Sequence, residues 1–97
     1  MHIEEVKARL TEQRTDIQKT FYVKKIGVFG SCVRNRQTKK SDVDILVEFE
    51  KGHKDFFNYM RLKHYKEESL GRNVDLVIKE AVKPSLRDRI FDEIVYV

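Results

Sequence analysis

The chain has a single cysteine and a single proline in 97 residues. Cys32 alone cannot form an intrachain disulfide, and such sparse use fits a reducing, cytoplasmic setting. No histidine lies near it in sequence, so it reads more simply as a small buried residue than as an activated nucleophile. Apolar runs are only a few residues long, which excludes a helical membrane span. The first residues, Met1 to Val6, are acidic and carry no apolar signal core, so no secretion signal is expected. His2, His53 and His64 show no zinc-ligand spacing. The Gly-x-x-x-x-Gly-Lys pattern of a Walker-type loop is absent. There is no repeat, linker or low-complexity run, and the length points to one domain over residues 1–97.

What is present is a highly ionic but globular composition. Hydrophobic residues make up 40% and charged residues 37%, with a formal net charge of +4. The balance suits anionic partners such as nucleotides, nucleic acid or an acidic protein. A solvated surface of mixed sign explains it equally well.

Periodicity gives the elements. Ile3, Val6, Leu10 and Ile17 sit near helical spacing and predict a helix over 3–19. Residues 23–29 end in a strand-like apolar run that stops at Gly30. Ser31 is a candidate N-cap for a short helix over 31–36, followed by a polar loop over 37–41. Residues 42–49 alternate, with Val43, Ile45, Val47 and Phe49 on one face and Asp42, Asp44, Leu46 and Glu48 on the other. A helix over 55–70 has Asp55 near its start and Gly71 just past its end. Its Phe56, Phe57 and Met60 read as a core stripe. Residues 73–78 form a third strand. A last helix over 84–94 opens with Pro84 and carries Leu86, Ile90 and Ile94 at i, i+4, i+8. The order α-β-α-β-α-β-α predicts an α/β fold, a sheet of three or four strands backed by helices.

Chemistry concentrates between Gly30 and Asp44. Asp42 and Asp44 are two apart on a predicted strand and leave the same face. Two carboxylates held so can chelate a hard divalent cation, and Mg²⁺ favours one or two carboxylates plus phosphate oxygens and water. An isolated Asp-x-Asp is more often a solvent-facing pair. Asp75 adds weight, because an acid in the middle of an apolar strand is costly unless compensated. An edge strand facing water would equally accommodate it. If the strand at 73–78 lies beside that at 42–49, three carboxylates share one face and suit two cations and an in-line displacement at phosphorus. Gly30 lets backbone approach a phosphate, and a helix opening at Ser31 would offer N–H groups to it. Arg34 lies one helical turn on, within reach of the same phosphates. Arg36, Lys39 and Lys40 surround the segment with charge. Ser41 is placed to orient the loop or a carboxylate.

Gly30-Ser31, Arg34, Ser41-Asp42-Val43-Asp44 and a later strand Asp75 together resemble the nucleotidyltransferase superfamily that includes DNA polymerase beta. The small size is similar to its minimal branch, the MNT proteins. The likeness covers about residues 22–80. It departs from the usual pattern at Val33 and Asn35, where a small residue and a glycine are expected. The resemblance implies a mixed sheet with flanking helices. It implies Mg²⁺ held by Asp42, Asp44 and Asp75, with Asp75 helping to activate the attacking hydroxyl. It implies ATP phosphates held by Gly30 and Ser31, with support from Arg34 and Ser41. It also implies a HEPN-domain toxin as partner, silenced by transfer of AMP to a tyrosine.

Two functions follow. One is a metal-dependent nucleotidyltransferase acting on a protein hydroxyl. The other is a non-catalytic antitoxin that neutralises its partner by occupying it. Direct nucleic-acid binding through the 34–40 loop is a weaker third, since basic residues are few and acids are interspersed.

Overall fold

The computed structural model describes residues 3–30, 33, 42–53 and 55–97. The helix and loop expected over 31–41 lie almost wholly outside these residues.

The expected N-terminal helix is divided into α1 (Ile3–Glu12) and α2 (Arg14–Phe21). Gln13 separates them because its side chain is recruited elsewhere. Its Oε1 accepts from Lys66 Nζ at 2.5 Å, and its Nε2 donates to Ser69 Oγ at 2.8 Å. A tertiary polar cluster thus overrides a continuous helical pattern. Strand β1 (Val23–Phe29) follows, then β2 (Val43–Phe49), α3 (Phe56–Leu70), β3 (Val74–Ile78), a 3-10 turn (Lys79–Ala81), α4 (Pro84–Glu93) and β4 (Val95–Tyr96).

Helix α3 begins where the sequence said it should. The Asp55 side chain accepts from Asn58 N–H at 2.9 Å, and Gly71 closes the helix in the left-handed region at φ 67°. Its buried stripe is Asn58, Leu62, Lys66 and Leu70, every fourth residue. Phe56 and Phe57 therefore point outward, 70% and 78% exposed, and are not the core stripe expected. The inward position at this end is taken by Asn58, whose Nδ2 donates to Phe21 O at 2.6 Å and His53 O at 3.0 Å. One buried amide thus satisfies two backbone carbonyls at a place where the pattern expected an apolar side chain.

The sheet order is β3-β2-β1-β4. β1 runs antiparallel to β2 and β4, while β2 and β3 are parallel, so the sheet is mixed. The two-residue β4 is too short for a periodicity signal. It is held by Val97 N–H on Ile26 O at 3.0 Å.

The two faces of the sheet bury different things. Val23, Ile26, Val28, Val43, Ile45, Val47, Phe49, Val74 and Leu76 face the helices α1, α2 and α3 in the main core. Phe29, Leu46 and Val82 form a smaller core with Ile90, Phe91 and Ile94 of α4 on the other face. Gly27 makes that second layer possible, since a Cβ there would stand 2.8 Å from the Ile94 side chain. The alternation of β2 was thus a true guide. Its apolar face enters the main core, and its acidic face turns to the side that α4 covers.

Candidate functional site

The register places Phe29, Asp44 and Asp75 in one row across β1, β2 and β3. Residues opposed in register share a face, and neighbouring strands lie about 4.8 Å apart. Asp44 and Asp75 are therefore adjacent carboxylates on the α4 side of the sheet. Asp44 is half-buried and Asp75 exposed. Asp42 stands just before β2 and is exposed. Among the described residues, no three His, Cys, Asp or Glu side chains come together closely enough to hold a metal ion. Register thus aligns Asp44 with Asp75, while Asp42 stands outside the ladder at the entrance to β2. The donors themselves are hard oxygens on a common face, the set that suits Mg²⁺.

Glu48 lies further along the same face and belongs to a different interaction. Lys79 Nζ donates to it at 3.2 Å and Lys24 Nζ lies 3.7 Å away. The Lys79 hydrogen bond holds its carboxyl below the ordinary range, against a smaller opposing effect of burial. Its charge is committed to structural pairing.

Gly30 terminates β1 beside this row. Its φ of 76° lies in the left-handed region. A Cβ on Gly30 would overlap Asp44 Oδ2 and stand 2.9 Å from Asp44 Cγ. The glycine is required both by conformation and by the closeness of the carboxylate. Gly30 N–H donates to Glu93 Oε1 at 3.0 Å, from the last turn of α4. Gly30, Asp44, Glu93, Phe29, Leu86 and Arg89 line a common cleft of about 220 Å³.

Glu93 and Arg89 were not singled out in the sequence. A signal existed: Leu86, Ile90 and Glu93 fall at i, i+4, i+7, so an acid occupies a sheet-facing position of α4. Ser31, Arg34 and Ser41, the other expected nucleotide contacts, lie outside the described residues, as do Cys32, Arg36, Lys39 and Lys40. Val33 is described. It is half-buried and packs against the main core, which accounts for an apolar residue at that place in the pattern. Among the described residues, no helix is long and apolar enough to cross a membrane.

Comparison with known proteins agrees with this fold. A family model for the nucleotidyltransferase domain matches residues 10–97. A provisionally named protein adenylyltransferase of Methanocaldococcus jannaschii is 42% identical over 96 residues, covering 98% of this chain and 97% of its own. Protein adenylyltransferase MntA of Thermococcus cleftensis is 40% identical over 95 residues, covering 98% and 95%. A solved structure provisionally described as a minimal nucleotidyltransferase superposes with a TM-score of 0.81 at 33% identity, covering 98% of this chain and 95% of that one. At 17% identity and TM-score 0.66, the fold is also shared with a chain in the complex of a tri-AMPylated HEPN toxin and an MNT antitoxin from Shewanella oneidensis. That match covers 94% of this chain and 70% of the other.

Proposed function

Because the chain belongs to the nucleotidyltransferase domain family, we propose that residues 1–97 act as one minimal domain that transfers AMP from ATP to a tyrosine hydroxyl of a HEPN-domain toxin. The observation that carries this reading is the pairing of Asp44 with Asp75 beside the Gly30 turn. Two acids side by side on one face beside a glycine turn support a site at which a nucleotide's phosphates meet an incoming hydroxyl. The names of the relatives and the AMPylated toxin of the shared-fold complex support the choice of AMP and of partner.

The chemistry assigns each side chain a task. Gly30, whose own amide is engaged by Glu93, lets the backbone come close to the phosphate oxygens, and Ser31 donates to them, supported by Arg34 and Ser41. Asp42, Asp44 and Asp75 would hold Mg²⁺, which when bound offsets the charge of the phosphates. Asp44, fixed between Gly30 and the α4 cleft, orients the α-phosphate. Asp75 is open to solvent on an edge strand, where an acceptor on another protein can reach it. Its carboxylate orients the hydroxyl and draws on its proton. The hydroxyl oxygen bonds to the α-phosphorus, the bond to the bridging oxygen breaks, and pyrophosphate leaves with the electron pair. Such a reaction uses ATP where ATP is abundant, which is the cytoplasm.

The test is to incubate the protein with α-labelled ATP, Mg²⁺ and the protein encoded beside it, with Asp44→Asn as control. Label on the partner that disappears in the control supports the assignment. A stable complex without label would instead make the chain a binding antitoxin.

A further inference from the structure

The Gly30 turn is tied to a residue that no part of the nucleotidyl-transfer scheme above employs. Glu93 reaches it from a sequence distance of 63 residues, accepting the Gly30 N–H at 3.0 Å. The glycine has a wide choice of backbone conformation, so something other than its own sterics must select φ 76°. On one side Asp44 stands so close that no side chain fits. On the other, Glu93 takes the amide. Both carboxylates line the same cleft. Arg89 lines that cleft as well, so the glycine amide, two acids and a cation share one small space.

We infer that Glu93 is a positioning residue for the nucleotide site: by holding the Gly30 amide it sets the phosphate turn against Asp44, and so governs nucleotide affinity without touching the transferred phosphorus. The inference rests on the nucleotidyl-transfer reading for the identity of the ligand. It goes beyond that reading by making α4, outside the Gly-Ser and Asp-x-Asp segments, part of the nucleotide site.

The experiment compares wild type, Glu93→Gln and Glu93→Ala. Glutamine keeps a carbonyl acceptor for Gly30, whereas alanine has none. Binding of a non-hydrolysable ATP analogue with Mg²⁺ is measured by calorimetry, and the Gly30 amide is followed by NMR in the ligand-free protein. Positioning predicts that Glu93→Ala weakens binding about tenfold, the size of one lost charge-assisted hydrogen bond. Glu93→Gln should restore binding to within about threefold of wild type. The Gly30 resonance should shift in Glu93→Ala and exchange faster with solvent. Melting curves identify any variant that has failed to fold, and if Glu93→Ala does so, Glu93→Leu, which fills the space but offers Gly30 no acceptor, takes its place in the comparison.

Tighter binding by both variants would overturn the inference, because Glu93 would then be a competitor for the phosphate's donor. Equal binding by all three would overturn it too, leaving Glu93 a structural tie. None of these readouts needs transfer to occur. A wild type that binds the analogue yet labels no partner would sink the transfer reading and leave the Glu93 comparison intact.

Discussion

Asp75 of β3 stands directly opposite Asp44 of β2 across a parallel strand pair, one exposed and the other half-buried. The proposed mechanism draws on that difference. Asp44, beside Gly30 and in the α4 cleft, is the one proposed to face the nucleotide. Asp75, exposed on the edge strand, is the one proposed to face the acceptor.

Asp44→Asn is expected to lower AMP transfer by at least about a hundredfold, the scale on which preorganised charge contributes at a phosphoryl centre. The fold should be retained, since asparagine is isosteric and relieves like-charge repulsion. Labelled transfer and a melting curve on the same preparation check both halves. Transfer at the wild-type rate would remove Asp44 from the chemistry.

Gly30→Ala should fail on two grounds at once. A left-handed φ costs a non-glycine residue roughly 1–3 kcal/mol, and the added methyl meets the Asp44 carboxylate. We expect a lowered denaturation midpoint together with lost nucleotide binding. A variant as stable as wild type and binding ATP normally would show that neither constraint operates.

Lys66 should give stability an alkaline rise. Burial pushes its ammonium down to about 8, partly opposed by the Asp16 charge. Below that value the group is charged whether folded or unfolded, so its contribution is constant. Between about 8 and the unfolded value near 10.4 the folded protein has lost a proton that the unfolded chain keeps, so stability rises with pH. The rise is bounded at roughly 3 kcal/mol. Above pH 10 Tyr65 works the other way, since burial, then Asp16, raises its hydroxyl above the ordinary value. Urea midpoints measured from pH 7.5 to 9.5 should climb for wild type and stay level for Lys66→Met. A level wild-type curve would contradict the burial of the ammonium.

Asn58→Ala removes the donor shared by Phe21 O and His53 O. Leaving buried carbonyls unmet should cost about 2–3 kcal/mol. Chemical denaturation reads this directly, and a change under about 0.5 kcal/mol would mean water replaces the amide.

Local signals in the sequence were reliable where the local pattern and the tertiary fold agree. Asp55 and Gly71 bracket α3 as their chemistry requires, and the alternation of β2 correctly separated core from acidic face. The signal failed where a polar residue took an inward position. Gln13 breaks the first helix to meet Lys66 and Ser69, and Asn58 turns Phe56 and Phe57 outward. Both depend on partners distant in sequence, which periodicity does not register. The placing of Asp44 beside Asp75 was legible because alternation along β2 and β3 fixes which residues share a face. Glu93 was not, because its role is set by a glycine amide at the far end of the chain's path.

The tie between Gly30 and Glu93 also sets an order of assembly during synthesis. Gly30 and Asp44 are made first and Glu93 follows 63 residues after Gly30, so the Gly30 amide meets its acceptor only once α4 has been made and packed. A chain cut short before α4 would carry the Asp44–Asp75 pair without that tie.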